Sequence, residues 1–119
     1  MNAKGKGLKG EQLAVDFLTD RGSNVLERNF RTRTGEIDII AEKDNELSFI
    51  EVKSWTFNGF EDLEYSINST KRKKIIQTSK AYMNRKSCDK YSFIHYDVVF
   101  IDTVGKIEYI KDAFTETNS

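Results

Sequence analysis

Cysteine and histidine are nearly missing from this 119-residue chain, with one of each, Cys88 and His95. A single thiol excludes an internal disulfide and argues against a zinc cluster, so a reducing, cytoplasmic setting fits. Cys88 lies in the polar segment Arg85-Lys86-Ser87-Cys88-Asp89-Lys90, and nothing in the order of the chain brings His95 to it as an activating base. No stretch approaches the ~20 apolar residues of a membrane helix. Met1 to Gly10 is basic without an apolar run, which does not read as a secretory signal. Internal repeats, linkers and low-complexity blocks are also missing. Net charge is zero and gives no sign of a polyanionic partner.

What is present is a small domain's worth of sequence, 38% apolar and 32% charged, enough for one core and a large polar surface. Charge is unevenly spread. Residues 1–34 carry 7 basic and 4 acidic side chains, 35–64 carry 2 and 9, 65–91 carry 8 and 1, and 92–119 carry 2 and 5. An acidic middle flanked by basic segments suits a metal site beside a polyanion. It also suits an ordinary surface on which the charges intermix.

The acidic middle contains the most regular pattern. Gly35-Glu36-Ile37-Asp38-Ile39-Ile40 and Phe49-Ile50-Glu51-Val52-Lys53 alternate apolar and polar residues as strands do. Asp44-Asn45 between them tolerates the positive φ of a tight hairpin turn. A turn centred there sets Asp38 opposite Glu51. Asp38, Glu51 and Lys53 then share one face, and Ile37, Ile39, Ile50 and Val52 the other. Cβ atoms of such facing pairs lie about 5 Å apart. Two carboxylates so close repel unless something intervenes. Mg²⁺, a hard ion held by one or two carboxylates plus phosphate and water, would satisfy both. Lys53 would then orient a water or offset charge on phosphate. The alternative is a solvated sheet face with a Lys–Glu pair of little energetic weight.

The remaining elements follow from periodicity. A helix is expected from about Leu8 to Arg21, with Leu13, Ala14, Phe17 and Leu18 as its apolar stripe and Gly22 as its stop. Glu11 projects toward the buried side. It either complements the helix dipole in the first turn or is a functional group aimed at the sheet. Asn24 to Phe30 reads as a strand. The Arg31-Thr32-Arg33-Thr34-Gly35 turn places arginines where they either contact phosphate or keep the turn soluble. Ser54 to Asn68 has no period. A turn at Asn58-Gly59 lies between Trp55, Phe57 and Phe60, aromatics that stack on bases or cover a core edge, and Glu61, Asp62 and Glu64 add acid.

Ser69 or Thr70 caps a second helix reaching about Arg85, with Ile75, Ile76, Tyr82 and Met83 on its apolar face and Ser79 on the same side. Its first turn holds Lys71-Arg72-Lys73-Lys74, cations that oppose the dipole and serve either phosphate binding or a solvated face. Tyr91 to Ile101 reads as a strand, and Lys106 to Ile110 as an edge strand after a turn at Thr103-Val104-Gly105. The predicted fold class is α/β: one domain over 1–119 with its core at about 7–112, a mixed β-sheet of about five strands flanked by helices, a flexible N-terminus and a loose C-terminal tail.

These residues resemble the PD-(D/E)xK nuclease superfamily, whose signature of an acid, a gap and acid-x-Lys falls on Asp38 and Glu51-Val52-Lys53. More narrowly, the chain resembles the YraN-like family of small bacterial proteins, related in fold to Holliday-junction resolvases. The match runs through Gly7, Gly10-Glu11, Ala14, Leu18 and Gly22, then Arg28-Asn29-Phe30-Arg31, the two strands above, Lys71, Lys74, Ala81 and Tyr82, and Tyr96-Asp97-Val98-Val99. It covers roughly residues 7 to 101. The chain departs from it at Ser54-Trp55-Thr56, where relatives often carry basic residues. It departs again at His95-Tyr96-Asp97, where many have Arg-Phe-Asp.

The resemblance implies a restriction-endonuclease-like fold and a metal-dependent endonuclease acting on DNA, with branched or damaged DNA as the expected substrate. The alternative is a non-catalytic nucleic-acid-binding module. Carried over residue by residue, it makes Asp38 and Glu51 ligands of Mg²⁺ (or Mn²⁺), with the Val52 carbonyl a third, and Lys53 the residue that positions or activates water. Glu11 becomes a further ligand or base, and Arg31, Lys71 and Lys74, joined by Arg33 of the same loop, grip the nucleic-acid backbone. A homodimer follows by analogy with the resolvases.

Overall fold

The computed structural model describes residues 3–54 and 67–116, with side chains from residue 10 onward. The expected turn at Asn58-Gly59 and its neighbours Trp55, Phe57, Phe60, Glu61, Asp62 and Glu64 lie outside the described residues. The elements run α1 (Ala3–Asp20), β1 (Asn24–Arg31), β2 (Glu36–Lys43), β3 (Glu46–Ser54), α2 (Ser69–Lys86), β4 (Phe93–Ile101) and β5 (Ile107–Phe114). They form an α/β fold with one mixed sheet in the order β1-β2-β3-β4-β5. Helix α1 starts before the expected Leu8. Ala and Lys are strong helix formers, and extending an existing helix costs little per residue.

The central hairpin follows from its turn. Asp44 and Asn45 have φ of 51° and 67°, the pair of positive values that matches the twist of two-residue hairpins. The ladder then runs from Lys43↔Glu46 to Ile39↔Ile50, so the register expected from Asp44-Asn45 holds. Strand β4 pairs parallel with β3 along the whole of β3. Parallel neighbours need a crossover, and α2 lies in that connection. Strand β5 closes the other edge antiparallel to β4. It continues past the expected Ile110 to Phe114, whose ring is buried and stacks 5.4 Å from Tyr96.

Each face of the sheet has its own core. On the α2 face, Ile37, Ile40, Phe49, Ile75, Tyr82 and Tyr96 are among the residues that pack together. Phe49 meets Tyr82 edge-on at 5.9 Å and stacks on Tyr96 at 5.7 Å. Ser79 shares a 2.8 Å hydrogen bond with the Tyr96 hydroxyl. On the α1 face, Ala14 and Leu18 pack on Ile39, Ile50, Val99 and Ile101. Strand β4 is buried from His95 to Ile101 because both its faces are covered. The α2 side chains are those its period predicts, but the cap is neither Ser69 nor Thr70. Asn68 caps the helix, its Oδ1 accepting the Lys71 N–H at 2.9 Å.

One assignment of faces is corrected. Ile37, expected beside Ile39, Ile50 and Val52, packs in the α2-face core, whereas Ile39 and Ile50 lie under α1. The cause lies around Asp38. The β2–β3 ladder ends at Ile39↔Ile50. Asn29, which the pairs Arg28↔Ile39 and Phe30↔Ile37 place alongside Asp38, has φ of 55°. A residue in the left-handed region interrupts the strict alternation of a strand.

Candidate functional site

Where β2 and β3 part, a side chain takes the place of a ladder bond. The Asp38 carboxylate accepts the Val52 N–H at 2.8 Å. This holds Asp38 against Glu51 in a cleft of about 740 Å³, whose walls include Glu36, Lys53 and, from α2, Lys71 and Lys74. The α2 wall is fixed by the 32–35 turn. Thr32 N–H donates to the Gly35 carbonyl at 2.9 Å, and Thr34 Oγ1 meets Thr78 Oγ1 at 3.0 Å. A Cβ at Gly35 would come within 3.3 Å of Thr78 Oγ1 and 3.4 Å of Lys74 Cβ, so the absence of a side chain there lets the turn lie close on the helix.

The electrostatics of the cleft are unusual. Burial, and then the facing Glu51, push Asp38 up to about 8, against a smaller opposing effect of the Val52 N–H. Near neutral pH Asp38 therefore largely keeps its proton. Lys71 pairs with Glu51, whose side chain is only 7% exposed. Burial opposes the Lys71 charge most strongly, but the hydrogen bond and charge of Glu51, with smaller contributions from Lys53 and Asp38, together outweigh it and raise the ammonium's pKa. Burial lowers Lys53, and the neighbouring Lys71 lowers it further. Two carboxyls and two amines thus meet in one place. Among the described residues no group of three His, Cys, Asp or Glu side chains is arranged to hold a metal. The two carboxyls still suit Mg²⁺, which commonly takes one or two carboxylates and keeps several waters. A divalent ion would also replace the proton that Asp38 holds against Glu51.

The expected site residues divide. Asp38, Glu51, Lys53, Lys71 and Lys74 meet at the cleft. Arg31 is exposed, its Nε 3.1 Å from Glu36 Oε1 at the cleft wall, and Arg33 is exposed on the adjoining turn. Glu11 is buried, as its helical position predicts, but its partners are Arg28 Nε at 2.9 Å and Asn29 Nδ2 at 3.0 Å, and it does not line the cleft. The geometry therefore links Glu11 to Asp38 only through β1. Sequence reasoning gave no role to Glu36, whose charge adds to the upward push on Asp38.

A second polar cluster escaped prediction. It lies beyond the end of α1 on the opposite face of the sheet, beside a cavity of about 320 Å³. Asp97, 1% exposed, accepts the Asp112 N–H at 2.8 Å and the Tyr109 hydroxyl. His95 Nδ1 lies 2.6 Å from Asp112 Oδ1, and its Nε2 meets Glu46. Burial pushes Asp97 up. Burial opposes charge on His95, but its two carboxylate partners outweigh this and raise its pKa. The only signals in the sequence were the lone histidine and the departure at His95-Tyr96-Asp97.

Comparison with known proteins gives the family. A model of the family described as "Uncharacterised protein family UPF0102" matches residues 10–101. A UPF0102 protein of Caldicellulosiruptor bescii is 46% identical over 122 residues, covering 96% of this chain and all of the relative. One of Clostridium perfringens strain 13 is 40% identical over 116 residues, covering 93% and 94%. One of Persephonella marina is 40% identical over 109 residues, covering 92% of each. Matches of this length and identity cover both the cleft and the sheet that builds it, and the chain belongs to the UPF0102 family, the YraN-like family.

Proposed function

We propose that the protein is a metal-dependent endonuclease with a restriction-endonuclease-like fold, hydrolysing phosphodiester bonds in DNA, with branched or damaged DNA as the preferred substrate. The observation that carries this reading is the contact of Asp38 with Glu51 at the parting of β2 and β3, with Lys53 in the same cleft. Asp38 and Glu51 would hold Mg²⁺, or Mn²⁺ in its place, with the Val52 carbonyl as a third protein ligand. When bound there, the metal would supply Lewis-acid polarisation of a phosphoryl oxygen and a more acidic water.

The chain's own residues do the rest. Lys53, its proton loosened by burial, holds the attacking water and accepts its proton at Nζ. The water oxygen bonds to phosphorus as the bond from phosphorus to one sugar oxygen breaks, and the sugar alkoxide that leaves takes a proton from solvent. Arg31, Arg33 and Lys74 bind flanking phosphates. Glu11 is a positioning residue, holding Arg28 and Asn29 of the strand next to Asp38. A homodimer is the assembly proposed by the same resemblance, and sedimentation analysis reads it directly.

The test is cleavage of junction and linear DNA in Mg²⁺, Mn²⁺ or EDTA. Asp38→Ala and Glu51→Ala are each expected to slow metal-dependent cleavage about 100-fold or more, the scale of losing one preorganised electrostatic group. Cleavage undiminished in both variants contradicts the proposal.

A second reading, a non-catalytic nucleic-acid-binding module, is favoured by the pairing of Lys71 with Glu51, which balances charge in the cleft without a metal. It predicts salt-sensitive DNA binding that survives Glu51→Ala, with no cleavage of any substrate.

A further inference from the structure

We infer that Lys71 is the resident counter-ion of the acid pair. Divalent metal displaces its ammonium from Glu51, and the freed side chain becomes a phosphate contact at the mouth of the cleft. This rests on the metal-binding reading above.

Charge and mounting both point to the exchange. The charge contact on which the exchange turns is that of Lys71 with the buried Glu51. A divalent ion bound at Glu51 competes for the same carboxylate and adds positive charge beside the Lys71 ammonium, which favours its departure. The two amines are mounted differently. Lys53 stands on the sheet at β3. Lys71 stands on the first turn of α2, and its side chain is 39% exposed while that of Glu51 is 7% exposed. Its stem therefore reaches inward from the rim and can swing back to solvent.

The backbone beneath it is anchored. The Lys71 N–H donates to Asn68 Oδ1, and Arg72 Nε donates to the Ile67 carbonyl at 2.9 Å. Movement is left to the flexible four-carbon chain of a lysine. A cation in the first turn also opposes the helix dipole, so in the folded chain this position is favoured chiefly by the Glu51 contact. Once released, the ammonium lies on the same wall of the cleft as Thr70 and Lys74, ready for a phosphate oxygen.

The experiment is calorimetric titration of Mg²⁺ and of Mn²⁺ into wild type, Lys71→Gln and Lys73→Gln. Lys73 is exposed on the same turn and does not line the cleft, so its replacement makes the same change in net charge without touching the pair. Lys71→Gln is expected to bind metal about tenfold tighter, the scale of one charge-assisted hydrogen bond no longer exchanged. Lys73→Gln is expected within about twofold of wild type, because an exposed distant charge is screened.

A second measurement uses the unsubstituted chain, ¹³C-methylated on its lysines. Mg²⁺ should move the Lys71 resonance and leave that of Lys73 in place. Metal affinity in Lys71→Gln equal to or below that of wild type overturns the exchange while leaving the metal site standing. No metal binding by any of the three chains overturns the metal-binding reading and the exchange together.

Discussion

The two faces of the sheet carry polar clusters of similar size and opposite character. On the α1 face, the buried Asp97 receives the Tyr109 hydroxyl and the Asp112 N–H, and His95 lies between the carboxylates of Glu46 and Asp112. There His95 bridges two acids and Asp97 receives two hydrogen bonds, and the cluster ties β3, β4 and β5 together. On the α2 face, Asp38 faces Glu51 and Lys53 lies beside Lys71, so like charges adjoin, and burial together with the facing Glu51 drives Asp38 toward its neutral form. A cluster that satisfies itself serves the fold. A cluster that holds like charges together is poised for something from outside, and a divalent cation with a phosphate would resolve it.

Substitution can break this contrast, and the largest effect belongs to the structural face. Asp97→Ala removes the shared acceptor of the half-buried Tyr109 hydroxyl and the Asp112 amide and should lower stability by about 3 kcal/mol, read by urea unfolding. A loss below about 1 kcal/mol would show that the network is not what holds β5 in place.

The opposite sign is expected on the other face. Asp38 is raised from 3.8 to about 8, so its contribution is fully present below pH 3.8 and is lost as pH rises toward 8. Asp38→Asn keeps an acceptor for the Val52 N–H and removes the charge. It should stabilise the protein by roughly 1–2 kcal/mol at pH 8 and by almost nothing at pH 4. A variant less stable than wild type at pH 8 would remove the claim of strain.

A smaller effect separates the faces by pH again. His95 is raised above its ordinary 6.5. The stability from its two carboxylate contacts is present below pH 6.5 and fades as pH rises through the folded value. His95→Gln should therefore cost about 1 kcal/mol at pH 6 and progressively less in alkaline buffer, the scale of a charge-assisted bond at a partly wet site. A penalty independent of pH would mean that packing, and not the imidazolium, matters at this position.

The smallest effect on stability is expected at the rim. Arg31→Ala with Arg33→Ala should leave stability within about 0.5 kcal/mol of wild type, since exposed pairs contribute little. The same double variant should reduce the salt slope of DNA affinity by about 2, one for each phosphate that is no longer neutralised. An unchanged slope would take the arginines out of the interface.

The uneven legibility of the site follows from how far apart in sequence its partners lie. The facing of Asp38 and Glu51 was readable because Asp44-Asn45 fixes a two-residue turn and the count outward from it is local. The apolar faces of α1 and α2 were readable for the same reason, since a helical stripe is written within a few turns. The side taken by Ile37 was not readable. It depends on Asn29 adopting a positive φ in the adjoining strand and on the ladder ending one pair before Asp38. The partners of Glu11 depend on how α1 crosses β1.

The α1-face network was the least legible part. It needs the parallel register that sets His95 beside Ser48, and the irregularity in the β4–β5 pairing between Tyr96 and Val98, where Asp97 takes the Asp112 N–H. Neither is encoded within a short window. Family membership was legible because an ordered set of motifs spanning most of the chain is far more specific than acid-x-Lys alone.

The central claim is that Asp38 and Glu51 form a metal site for nucleic-acid chemistry. Calorimetric titration of Mg²⁺ and Mn²⁺ into wild type and the Asp38→Ala/Glu51→Ala double variant, with and without junction DNA, tests it most directly. Saturable binding by wild type that strengthens with DNA and disappears in the double variant is the predicted result. Wild type that binds neither metal even with DNA present, or a double variant that binds as well as wild type, would contradict it.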